Sequence, residues 1–168
     1  MTVINIYEAQ ARVAKVGFQL CVAFPAALFA LTLILRKSLY GTDNSLLSPA
    51  TGELFGYVVI AIALADVIAA SFLKKRMITA EAIGARLGAN PKLFAKQLAA
   101  SYVPILAICA APAVYGLIFF FIVGDVETYV LISVICPTGY MLAKPRRAEV
   151  EEMAEQLFKR EDDSDIHL

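Results

Sequence analysis

The chain has 168 residues, 60% of them hydrophobic and 18% charged. A soluble domain is about 45–50% apolar. Here the excess is gathered into long uncharged runs, the pattern of membrane-spanning helices and not of a large soluble core. Fifteen basic residues balance fifteen acidic ones, which leaves no net positive field to attract nucleic acid.

Residues 1–15 have the pattern of an amphipathic helix lying on a membrane surface. Val3, Ile6, Tyr7, Val13 and Val16 would face lipid, with Glu8, Arg12 and Lys15 in water. The run 16–35 is the first expected span, uncharged apart from the neutral amide Gln19. About 20 helical residues cross a hydrocarbon core of about 30 Å. Arg12 and Lys15 precede this run as they would precede a secretion signal. Its length and the Arg36-Lys37 that follows speak for a retained span instead. The second span is 54–73, interrupted by one acid, Asp66.

A polar stretch, 74–97, follows. Thr79 caps an expected helix over 80–87, and Gly88 ends it. Asn90-Pro91 then starts a helix that continues into the third span, 98–123. A tight link at Gly124-Asp125 leads to the fourth span, 126–143, which contains Pro137 and Gly139. Pro25, Pro104 and Pro112 lie inside the first and third spans, where neighbouring helices can satisfy the freed carbonyls. Residues 145–168 form a charged tail, helical at first and expected to fray at its acidic end, EDDSD. The expected fold is all-α: an integral membrane four-helix bundle over 16–144, flanked by a surface helix and a charged tail.

Basic residues orient the chain. With both termini and the 74–97 loop in the cytoplasm, thirteen of the fifteen basic residues fall on that side. Only Arg36 and Lys37 fall on the other. The expected location is a bacterial cytoplasmic membrane with N and C termini inside, the lipid bilayer being the first partner.

No residue set suggests an enzyme. Cys21, Cys109 and Cys136 lie singly in three apolar runs, without metal-ligand or redox spacing. The single histidine, His167, is next to the C-terminus, so neither a zinc site nor a histidine triad is expected. GARLG, residues 84–88, lacks the lysine and spacing of a phosphate loop. No cofactor and no metal are expected.

Asp66 is the exception to the apolar rule. An acid in a membrane helix costs about 2.5–3.5 kcal/mol on insertion scales, so it should face other helices or water. It stands eight residues before Lys74, about 12 Å along the axis. If the second and third spans form a hairpin, the level matched on the third is that of Ser101, Tyr102 and Ile105. Asp66, Ser101 and Tyr102 are therefore the candidate proton or cation site. The alternative is a hydrogen-bonded acid that pins two helices.

Small residues mark packing. Ala61, Ala65 and Ala69 are spaced by four, as are Ala23 and Ala27, and Ala26 and Ala30. Such stripes let helices approach closely, within one chain or between copies. Ala113 and Gly116 are the matching small positions on the third span.

Ala111 to Ile118, APAVYGLI, resembles the second helix of the rotary ATPase proteolipids, the subunit c family. The context is similar too: a small-residue helix (61–71), a polar loop with Arg86 and Asn90-Pro91, then the Tyr115-Gly116-Leu117 helix. The resemblance covers 54–123 and implies a helical hairpin whose polar loop faces the cytoplasm. It departs at the position of that family's ion-carrying carboxylate, five residues before the tyrosine, which is Ala110 here. The expected function is a non-enzymatic helical subunit packed against other membrane subunits or copies of itself. The alternative is a proteolipid-like protein that moves protons or cations through Asp66.

Overall fold

In the computed structural model, which describes residues 6–39, 48–87 and 93–164, the fold is all-helical, with no strand among those residues. Helix α1 (Ile6–Phe18), a π-helical turn (Gln19–Ala23) and α2 (Phe24–Leu39) follow one another without a break. The turn widens where the chain approaches Pro25. Proline has no N–H to return to the preceding turn, and a slip to wider spacing accommodates the missing bond.

Helix α3 (Pro49–Met77) starts on Ser48, whose hydroxyl accepts the Thr51 N–H at 3.4 Å, with proline in its first turn. Thr79 caps α4 (Ala80–Leu87) by accepting the Ala82 N–H at 3.2 Å, as its sequence position suggested. Helix α5 (Phe94–Val123) ends on Gly124, whose φ of 79° is the left-handed conformation a glycine adopts without strain. The next residue, Asp125, accepts the Glu127 N–H at 2.9 Å and opens α6 (Val126–Ala143). The chain thus reverses within two residues. Helix α7 (Arg147–Ser164) completes the fold. Gly88, Asn90 and Pro91 lie outside the described residues.

Four stretches are long and apolar enough to cross a membrane: Ile6–Leu35, Ala50–Met77, Phe94–Val123 and Val126–Ala143. Their outward faces carry large apolar side chains, among them Ile34, Ile68, Phe72, Leu131 and Leu142. So much exposed apolar surface suits lipid and not water. Hydroxyls inside the helices return to their own backbone: Thr32 to the Leu28 carbonyl, Ser71 to Val67 and Thr138 to Val134, at 2.8–3.0 Å. This satisfies them without a partner helix.

Two expectations change. The stretch expected on the membrane surface runs from Ile6 without a break into the helix of the first expected span, and Val13, expected to face lipid, is buried with Ala9. A 30-residue stretch exceeds the roughly 20 residues a bilayer needs. Its first turns can therefore extend past the lipid, where they meet α7. Helix α7 runs on to Ser164, through acids expected to fray. It buries Val150, Met153 and Ala154, and it packs on the chain's own α4 and α1.

Helix α5 is the hub. It touches α1, α2, α3, α4 and α6. Half of its most apolar window is buried inside the protein, against 17% for the first stretch. Close approach depends on small residues. Gly116 faces the Tyr129 ring so closely that an added Cβ would lie 2.6 Å from Tyr129 Cδ2. That ring is fully buried and has little room to move. Gly116→Ala is therefore expected to destabilise the bundle by about 1–3 kcal/mol, the usual cost of overpacking. Thermal or denaturant unfolding of the detergent-solubilised protein measures it, and an unchanged midpoint would contradict the packing.

Candidate functional site

Asp66 lies on the inner side of α3, half-buried. Its level is fixed by the α3–α5 contact. A Cβ on Gly52 would touch Val123, and one on Gly56 would touch Phe119, so four residues along α3 match four back along α5. Continuing that register puts Asp66 opposite Cys109. The neighbours agree. A Cβ on Gly139 of α6 would meet both Val67 and Cys109, and Tyr115 of α5 is near enough to feel the Asp66 carboxylate.

The expected grouping with Ser101 and Tyr102 is therefore not the one the fold makes. Those residues are buried nearer the other end of α5, where Tyr102 feels the charge of Glu149 on α7. The expected level was counted from Lys74 against a third span starting at residue 98. In the structure α3 continues to Met77 and α5 starts at Phe94, and matching those ends would still put Asp66 level with Ile105, about one turn short of Cys109. The glycine contacts, and not the helix ends, set the register.

One carboxylate oxygen, Asp66 Oδ2, is buried without a hydrogen-bond partner among the described residues. The Tyr129 hydroxyl and Ser133 Oγ share that condition. A buried polar atom without a partner costs roughly 1–3 kcal/mol, so Asp66 Oδ2 has capacity for one more hydrogen bond. Cys21 and Cys136 use their thiols differently. Cys21 Sγ points to the Leu106 carbonyl at 3.5 Å and Cys136 Sγ to the Ala110 carbonyl at 3.8 Å, as packed, weakly donating groups.

The small residues divide into two sets. Ala113 and Gly116 face inward and are buried, as are Ala63 and Ala70 of α3, which lie outside the four-residue spacing. Ala61, Ala65 and Ala69 face outward and are exposed. Ala23, Ala26, Ala27 and Ala30 are exposed as well. The alanine stripes are thus not used inside this chain.

A charged cluster lies at the end of the bundle where α3, α6 and α7 meet. Lys74 Nζ pairs with Glu149 Oε2 at 2.8 Å and also reaches the Lys144 carbonyl at 3.4 Å. Close by in sequence, Arg147 donates to the Tyr7 hydroxyl at 2.9 Å, with its guanidinium 5.0 Å from the ring centre. Sequence gave no sign of these pairs, because their partners lie 75 and 140 positions apart. Partial burial alone would push the Glu149 carboxyl up. The Lys74 hydrogen bond, the Arg146 N–H and both positive charges outweigh it and hold the carboxyl below its ordinary value.

No family model, no curated protein and no solved structure matches the chain.

A carboxyl held below its ordinary value stabilises the fold above that value and loses the contribution as pH falls through it. The charges facing Glu149 are those of Lys74 from α3 and Arg146 from the link between α6 and α7. Protonation of Glu149 is the event that breaks the contact. Protection of the α7 amides, taken relative to the intrinsic exchange rate at each pH, should therefore be high at pH 7 and fall as pH drops below about 4.5. Glu149→Gln should exchange faster at pH 7 and lose most of that pH dependence. An unchanged profile in the variant would contradict the assignment.

Proposed function

We propose that this chain is a non-enzymatic membrane subunit whose outward alanine face on α3 packs against another spanning helix. One observation supports this most directly. Ala61, Ala65 and Ala69 form a flat stripe that the chain leaves exposed, while different small residues build its own core. Small-residue stripes permit backbone approach that large side chains prevent. The partner is a copy of the chain or another membrane subunit. The basic bias, thirteen residues against two, supports a cytoplasmic location for both termini.

Thiol chemistry tests both statements. With the native cysteines replaced by serine, Ala65→Cys should form an intermolecular disulfide or cross-link in native membranes. Leu131→Cys, exposed on α6, should not. Equal cross-linking at both would contradict a specific face. A membrane-impermeant maleimide should label Glu127→Cys in intact cells, and labelling only after lysis would reverse the orientation.

A second reading has its own support. Asp66 stands opposite Cys109, one residue from Ala110, where the proteolipid resemblance lacks its carboxylate. One Asp66 oxygen is unpartnered and Tyr115 is near. In this reading Asp66 carries a proton or cation from α3 in place of the missing acid on α5. Reconstituted protein should then dissipate a proton or sodium gradient, and Asp66→Asn should reduce the rate at least about tenfold while the melting profile stays intact. Equal flux in the variant would exclude the reading.

A further inference from the structure

The charged cluster between α3, α6 and α7 borders a cavity of about 460 Å³, within the usual range for small-ligand pockets. Its charged lining is two lysines, Lys74 and Lys75, and two glutamates, Glu149 and Glu152. Lys74 and Glu149 hold one another. That leaves Lys75, which has no ion-pair or hydrogen-bond partner among the described residues, and Glu152, which accepts one bond from Gln156 at 3.3 Å and has further lone pairs. Thr79 accepts the Ala82 N–H with its oxygen, so its O–H remains free to donate. The unspent groups are a cation on α3, a hydroxyl donor in the link to α4 and an anion on α7.

The position of the cavity narrows the ligand. It lies at the ends of two spanning helices, α3 and α6. Above Lys75 on α3, Leu64 and Ile68 are exposed, and Leu142 of α6 lines the cavity while 63% exposed. An apolar outer surface therefore runs along the helices directly into a polar chamber. A ligand that fits has hydrocarbon chains on one side and a head with both charges on the other. A head with negative charge alone would leave Glu152 opposed. A head with positive charge alone would leave Lys75 opposed.

The geometry points to a binding site for the headgroup of a zwitterionic aminophospholipid, its phosphate on Lys75 and Thr79 and its primary ammonium on Glu152. The acyl chains lie along Leu64, Ile68 and Leu142. A primary ammonium donates hydrogen bonds to a carboxylate, which a quaternary ammonium cannot do, so phosphatidylethanolamine is favoured over phosphatidylcholine. The inference rests on the chain spanning a membrane and is independent of the subunit and ion readings.

The test is native mass spectrometry of the full chain in mild detergent, titrated separately with phosphatidylethanolamine, phosphatidylglycerol, phosphatidylcholine and soluble phosphoethanolamine. Wild-type protein should retain phosphatidylethanolamine about tenfold better than the other two lipids, the scale of one charge-assisted hydrogen bond. Lys75→Gln and Glu152→Gln should each lose about tenfold in that retention, and Glu152→Gln should gain relative affinity for phosphatidylglycerol. Lys15→Gln, a remote exposed change, should lose nothing. Equal retention of the three lipids by wild type, or unchanged retention in both variants, overturns the proposal. Soluble phosphoethanolamine bound as tightly as the lipid overturns the lipid assignment in favour of a free metabolite. A chain that stays monodisperse without detergent contradicts the membrane reading itself, a separate failure.

Discussion

Glycine contacts between α5 and its neighbours set the spacing on which the bundle depends. Gly116 of α5 receives the Tyr129 ring of α6, Gly139 of α6 lies against Val67 and Cys109, and Gly52 and Gly56 of α3 meet Val123 and Phe119. Lipid tails are as apolar as leucine, so helices in a bilayer gain little from hiding hydrocarbon alone. Dense contact between surfaces that approach closely has to supply the association. The four glycines provide those surfaces from both sides of α5, and they leave only one register open. That register decides which residues stand opposite Asp66.

The elements were legible in the sequence because their ends carry local chemistry. The Thr79 cap, the Gly124-Asp125 reversal and the fourth span, 126–143, all stand where the residues placed them. The facing of each helix was less legible. Helices α3 and α5 are apolar all round, so a stripe of alanines says that two surfaces can approach but not which surface is inside. Ala61, Ala65 and Ala69 fit the spacing rule and turned out exposed, while Ala63 and Ala70 took the core. Asp66 was placed by counting from a helix end, and helix ends do not fix register. Tyr115, its neighbour in the fold, had been noticed only as part of the proteolipid-like segment.

Helix α3 presents two different faces. Its inner face carries one acid with an unpartnered oxygen, and its outer face exposes Ala61, Ala65 and Ala69 among the described residues. At the helix end, Lys74 and Lys75 divide the work. One holds α7 through Glu149, and the other is left open toward a cavity that continues into the apolar outer surface.

The α3–α5 register is the central claim, since the level of Asp66 follows from it. In a chain with Cys21 and Cys136 replaced by serine, Asp66→Cys can be joined to the native Cys109 with a short bifunctional thiol reagent in native membranes. The account predicts efficient intramolecular joining there. It predicts little joining when Cys109 is also replaced by serine and the second thiol comes from Tyr102→Cys. Preferential joining to position 102 would contradict the register and return Asp66 to the level its distance from Lys74 had suggested.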